Sequence, residues 1–155
     1  MSITGVHNLQ ILRGLSGNRC LLSARSDGSA VDLWHADDNS GRQQWKLIPI
    51  QGLNHVYNIA LTSGINASIG YLNCSSEGGQ VDLVDRDDGS DRQKWELIPV
   101  PDSPSCNTYL IRVRGGVVAQ QRYLSCRADG SVVELAIEDD GSGRQRWQIQ
   151  DVWVA

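Results

Sequence analysis

One four-residue signature occurs three times in this chain, as Arg42-Gln43-Gln44-Trp45, Arg92-Gln93-Lys94-Trp95 and Arg144-Gln145-Arg146-Trp147, with the tryptophans 50 and then 52 residues apart. The register extends upstream without gaps. Thirteen residues before each tryptophan lies an acid, Asp32, Asp82 or Glu134, inside Val31-Asp32-Leu33, Val81-Asp82-Leu83 or Val133-Glu134-Leu135. Eighteen residues before it lies Asp27-Gly28, Glu77-Gly78 or Asp129-Gly130. Self-similarity at a fixed period means one supersecondary unit used repeatedly. Three units, about 1–50, 51–101 and 102–155, account for all 155 residues, a length suited to a single domain.

Within a unit the pattern is that of strands. Leu22-Ser23-Ala24-Arg25 alternates, Ser26-Asp27-Gly28-Ser29 supplies a hairpin turn, and Val31-Asp32-Leu33-Trp34 alternates again. Another alternating stretch precedes each hairpin (Leu9 to Leu12, Tyr57 to Leu61, Tyr109 to Val113), and Trp-x-Leu or Trp-x-Ile follows it. Four short strands per unit give about twelve. A propeller needs about four to eight blades to close, so three units point to a three-fold closed barrel with hairpin caps.

Period-two logic then sorts the faces. With Val31 and Leu33 inward, Asp32 and Trp34 point outward; the same parity turns Leu22, Leu72 and Leu124 inward together with Ala24, Cys74 and Cys126. Trp45, Trp95 and Trp147 read as core anchors. Gln43, Gln93 and Gln145, two places before them, need partners in the adjoining loop. Trp34 differs from its equivalents Val84 and Ala136, so the fold does not require an aromatic there; it is either a binding platform or a cover for a neighbouring loop.

Composition excludes several classes. With 40% hydrophobic and 21% charged residues the chain is neither disordered nor collagen-like, and no apolar run is long enough for a membrane span. A net charge of −4 argues against a nucleic-acid partner. The residues Met1 to Asn8 lack the charged and then apolar run of a secretory signal. Cys20, Cys74, Cys106 and Cys126 have irregular spacings and no Cys-x-x-Cys, which suits free thiols in a reducing, cytoplasmic compartment. The glycosylation triplets at Asn66 and Asn73 would then stay unmodified. His7, His35 and His55 form no metal-binding or catalytic motif, no phosphate or dinucleotide loop occurs, and the Asp85 to Gly89 run departs from a calcium loop. An enzyme, a metal and a cofactor are therefore not expected.

Three Gln-x-Trp units, each closing on Trp-x-Leu or Trp-x-Ile, resemble the β-trefoil of ricin B-type lectins across essentially the whole chain, and most closely the small cytoplasmic lectins of mushrooms. The resemblance implies a non-catalytic, carbohydrate-binding protein with up to three shallow sites. Its implied partners are galactose or N-acetylgalactosamine on glycoprotein or glycolipid glycans, with agglutination through several sites or a homodimer. It also implies a site made of an Asp on the first hairpin strand, an aromatic on the second and an Asn before the Gln. This chain departs from that pattern: the Asp position holds Ser23, Asn73 or Ser125, the aromatic position Trp34, Val84 or Ala136, and the Asn position Arg42, Arg92 or Arg144.

A carboxylate can instead come from the turns, at Asp27, Glu77 or Asp129 beside Gly28, Gly78 and Gly130, or from the loops, at Asp38, Asp88 or Asp140, with the arginines donating. His35, Asn39 and Asp85 complete the candidate rims. The loop residues have a competing role as turn formers, in which Asp and Ser bond their own backbone and Arg pairs with a carboxylate. Two other functions suit the same fold. A protease inhibitor would use an odd loop, 51–54 or the proline-stiffened Pro101 to Ser105. A cytoskeletal module would resemble fascin, whose units share the Tyr-Leu-Ser strands and Asp-Gly turns.

Overall fold

The computed structural model describes residues 5–65, 70–101 and 107–152. Cys106, Asn66 and the loop residues 102–105 lie outside them. Twelve strands are present and no helix among the described residues. The strands are β1 (Gly5–Ile11), β2 (Leu21–Ala24), β3 (Val31–Trp34) and β4 (Trp45–Pro49), then β5 (Val56–Leu61), β6 (Tyr71–Cys74), β7 (Val81–Val84) and β8 (Trp95–Pro99). The last four are β9 (Thr108–Val113), β10 (Tyr123–Cys126), β11 (Val133–Ala136) and β12 (Trp147–Asp151).

Six of these strands form a closed antiparallel ring, in which β1 pairs with β4, β4 with β5, β5 with β8, β8 with β9, β9 with β12, and β12 with β1. Closure leaves no barrel strand with an unpaired edge. The other six form hairpins β2–β3, β6–β7 and β10–β11, and β3, β7 and β11 meet around the pseudo-three-fold axis. This is a β-trefoil: four strands per unit and three units per barrel.

The joints between units share one register: Trp45 faces Leu61 and Leu47 faces Ile59, Trp95 faces Val113 and Leu97 faces Ile111, Trp147 faces Ile11 and Ile149 faces Leu9. The outermost rung departs from the symmetry. Pro49 faces Tyr57 and Pro99 faces Tyr109, but Asp151 faces His7, and these two side chains lie 3.4 Å apart.

The three signature tryptophans have no exposed surface. Each indole Nε1–H donates to the middle carbonyl of its own hairpin, Leu22, Leu72 or Leu124, at 2.8, 3.0 and 3.0 Å. A large apolar body thus fills the core while its one polar atom ties the cap to the barrel. Cys74 and Cys126 are buried in equivalent places, and burial pushes their thiols up to about 11 and about 12.

Candidate functional site

Each hairpin presents one polar cross-strand pair on the face away from the core: Ser23 opposite Asp32, Asn73 opposite Asp82, Ser125 opposite Glu134. Behind each pair lies the signature glutamine. Gln43 Nε2 donates to Ser23 Oγ (3.0 Å) while its Oε1 accepts the Asp38 N–H (3.0 Å). Gln93 does the same between Asn73 Oδ1 (2.7 Å) and Asp88 N–H (3.0 Å), and Gln145 between Ser125 Oγ (2.9 Å) and Asp140 N–H (3.0 Å). The expected bond to the loop backbone is present. A second bond to the first hairpin strand joins it, and this occupies the very groups at the position where the lectin resemblance would have a sugar-binding Asp.

The loop residues act as turn formers in all three units. Asp38, Asp88 and Asp140 accept the N–H two residues on, from Ser40, Ser90 and Ser142, at 3.0, 2.9 and 2.9 Å. The serine side chains beside them hold all three carboxyls below the usual range. Asn39 adopts φ 66°, which the turn imposes. The arginines approach those aspartates at 3.6, 3.9 and 4.0 Å. Their Nη1 groups donate across the unit boundary, Arg42 to the Gly64 carbonyl, Arg92 to Gly116 and Arg144 to Gly14, at 3.5, 3.5 and 3.3 Å. They stitch each unit to another.

What distinguishes the units is the state of the outward carboxylate. In the second unit Asn73 Nδ2 donates to Asp82 Oδ1 at 2.8 Å. In the third, Arg127 Nε lies 3.7 Å from Glu134 Oε2. In the first, Ser23 offers no such amide, and Asp32 forms no ion pair with Arg25, which stands where the third unit has Arg127. No described side chain donates a hydrogen bond to Asp32 or forms an ion pair with it. Burial pushes the Asp32 carboxyl above the usual range, opposed by the positive charges of Arg19, Arg25 and Arg42. Beside it opens a cavity of about 300 Å³ bordered by Ser23, Arg25, Asp27, Asp32, Trp34 and Arg42.

Trp34 is half-buried rather than fully exposed. The Arg19 guanidinium carbon stands 5.5 Å over its ring, and His35, exposed, lies 5.2 Å away at 45°. Part of the indole lies against the 12–20 loop, as the covering role expects, and part borders the cavity, which Arg19 does not. Asp27 also borders the cavity, but its Oδ1 accepts from Ser29 N (2.9 Å) and Oγ (2.6 Å), which holds it low; Asp129 is bound in the same way by Ser131.

Gly28, Gly78 and Gly130 sit at the turn tips with φ 74° each. The tip at Gly130 packs on the first unit: its carbonyl accepts the Leu33 N–H at 3.1 Å, and a Cβ there would lie 2.7 Å from Arg19 Cβ. Glu77 and Asp85 are exposed around the second hairpin. Asp27, Trp34 and Arg42 thus come together at one cavity. Asp32, Arg25 and Arg19 were not singled out from the sequence. The signal for Asp32 was its outward parity within the repeated Val-Asp/Glu-Leu, and it needed the identity of the cross-strand partner to be read.

Among the described residues no group of acidic, His or Cys side chains could hold a metal ion. Among the described residues no helix is long and apolar enough to cross a membrane. No family model matches the chain, and no curated protein sequence does. Solved structures do. The chain is similar to ThreeFoil, a designed three-fold symmetric protein, with a TM-score of 0.69 and 22% identity over 95% of this chain and 99% of that one. It is similar to SeviL, solved bound to the asialo-GM1 saccharide, with a TM-score of 0.68 and 17% identity over 97% and 100% of the two chains. It is also similar to the Polyporus squamosus lectin, solved with a human-type influenza-binding epitope, with a TM-score of 0.68 and 14% identity over 96% of this chain and 49% of that one. At these identities the likeness establishes the β-trefoil fold.

Proposed function

We propose that this protein is a non-catalytic lectin that takes a galactose-type or N-acetylgalactosamine-type ring of a glycoprotein or glycolipid glycan into the cavity of its first unit. The observation that carries this reading is the open carboxylate of Asp32 beside the free part of the Trp34 indole. An apolar sugar face packs on an aromatic plane, and the hydroxyls need a fixed acceptor. Beyond its own backbone N–H, Asp32 accepts no hydrogen bond from a described side chain, so a hydroxyl pair from a ligand satisfies it at little desolvation cost. That both SeviL and the Polyporus lectin were solved with saccharides supports a glycan as ligand.

The reading assigns one competent site per chain. Asp82 and Glu134 are engaged by Asn73 and Arg127, and Val84 and Ala136 offer no platform. Affinity for a monosaccharide is then about millimolar, about −4 kcal/mol. Agglutination requires association of chains, and a homodimer raises avidity by about 10² to 10⁴. The buried thiols of Cys74 and Cys126 support a reducing, cytoplasmic setting.

The test is titration with methyl galactoside followed by chemical-shift mapping. Shifts are expected around Asp32 and Trp34, and Trp34→Ala should weaken binding about tenfold with little change in melting temperature. Incubation with the glycan should release no sugar. No shifts at about 10 mM galactoside, about ten times the expected Kd, would overturn the proposal.

A further inference from the structure

Two arginines, Arg25 and Arg42, border the same cavity with the carboxylates Asp27 and Asp32, and Arg19 stands against Trp34 at its edge. Of the two carboxylates, Asp27 is already bound by its own turn.

The arginines differ in how they are held. Arg42 is tied to Gly64 and Asp38, and Arg19 lies on the indole. The Arg25 guanidinium meets no described hydrogen-bond or ion-pair partner. Its equivalent in the third unit, Arg127, is paired with Glu134, and in the second unit the position is Ser75. A charged fork at the mouth of a cavity, with no internal partner, is a fitting for a planar or tetrahedral anion.

We infer, resting on the function proposed above, that the ligand is an acidic saccharide: a galactose-type ring whose hydroxyls go to Asp32 and whose anionic substituent, a sulfate ester or a carboxylate, is met by Arg25 with Arg42 and Arg19 behind it. At the equivalent positions the third unit pairs Arg127 with Glu134. A ligand carrying both a hydroxyl pair and an anion serves Asp32 and Arg25 together, whereas a neutral ring leaves the Arg25 guanidinium without an anionic partner.

Calorimetric titration of the whole protein with lactose, a lactose sulfate ester, sialyllactose and inorganic sulfate tests this. The expected result is that at least one acidic lactose binds about tenfold more tightly than lactose, with the difference shrinking at high salt. The sulfate and sialyl arms tell which anion is preferred. Arg25→Ser, which installs the second unit's residue, should bring the acidic-to-neutral ratio to about one. Arg127→Ser should leave it unchanged, with the melting temperature of each variant recorded as the folding control. Equal affinity for acidic and neutral lactose overturns the inference and leaves the lectin reading standing. Binding of inorganic sulfate as tight as that of the sulfated sugar overturns it as well, since the ring would then contribute nothing. Failure of every saccharide overturns the lectin reading itself.

Discussion

Replacing Asp32 by Asn separates binding from folding at a single atom. The variant keeps the shape and one acceptor oxygen but loses the charge. A hydrogen bond to a charged acceptor contributes about 1.5–3 kcal/mol, roughly twice the neutral value, so the loss for a neutral galactoside is about 1 kcal/mol, a five- to tenfold rise in Kd. The effect on stability goes the other way. Burial raises the Asp32 pKa in the folded protein, so the ionised form opposes folding once the pH rises through that raised value. No described donor is left stranded by the change. The melting temperature should therefore stay level or rise by a few degrees, at about 2–4 °C per kcal/mol for a domain of this size. Titration with methyl galactoside and a calorimetric scan measure the two quantities. Unchanged affinity together with a fall of more than about 4 °C would show that Asp32 serves the fold and not a ligand.

Other consequences are equally accessible. Gly116→Ala should cost about 1–3 kcal/mol in denaturant unfolding, because the residue has φ 75° and its new Cβ would lie 2.2 Å from the Ser90 carbonyl oxygen; galactoside binding at the first unit should persist. Acidification should abolish binding before it unfolds the protein. Asp32 is protonated above the ordinary value of 3.8, whereas the stabilisation from Asp38, Asp88 and Asp140 is present above that value and is lost only as the pH falls through their lowered ones; simultaneous loss in a pH series followed by binding and circular dichroism would contradict this. Thiol labelling of the native protein at pH 8, mapped by peptide mass, should modify half-buried Cys20 and spare Cys74 and Cys126, whose thiols are buried and held protonated.

The barrel was legible because its determinants are local and repeated. Trp45, Trp95 and Trp147 with an apolar residue two places on, and an Asp-Gly or Glu-Gly turn before them, report strand, turn and core anchor in any context. Parity likewise predicted the inward Cys74 and Cys126. The site was less legible because it depends on what lies across a strand pair. Asp32, Asp82 and Glu134 look interchangeable along the chain, yet the first has Ser23 across from it and no side-chain donor, Asn73 occupies the second, and Arg127 pairs with the third. The position of Arg19 over Trp34 could not be read either, since the 12–20 loop is held by the third unit, at Ala128 and Gly130, as well as by the backbone bonds of Cys20 to Ile11 and Trp34 in its own unit. The loop arginines lie near the aspartates of their own loops but donate their Nη1 hydrogen bonds to another unit, which no single repeat shows.

The barrel joint between β1 and β12 runs antiparallel from His7 opposite Asp151 to Ile11 opposite Trp147. The two outward ends of these strands therefore emerge side by side. Tension applied there opens the ladder rung by rung like a zip, beginning at the polar pair, instead of loading all the rungs together. The molecule is consequently soft to a pull on its two ends, while a load borne between neighbouring hairpins meets an unbroken ring.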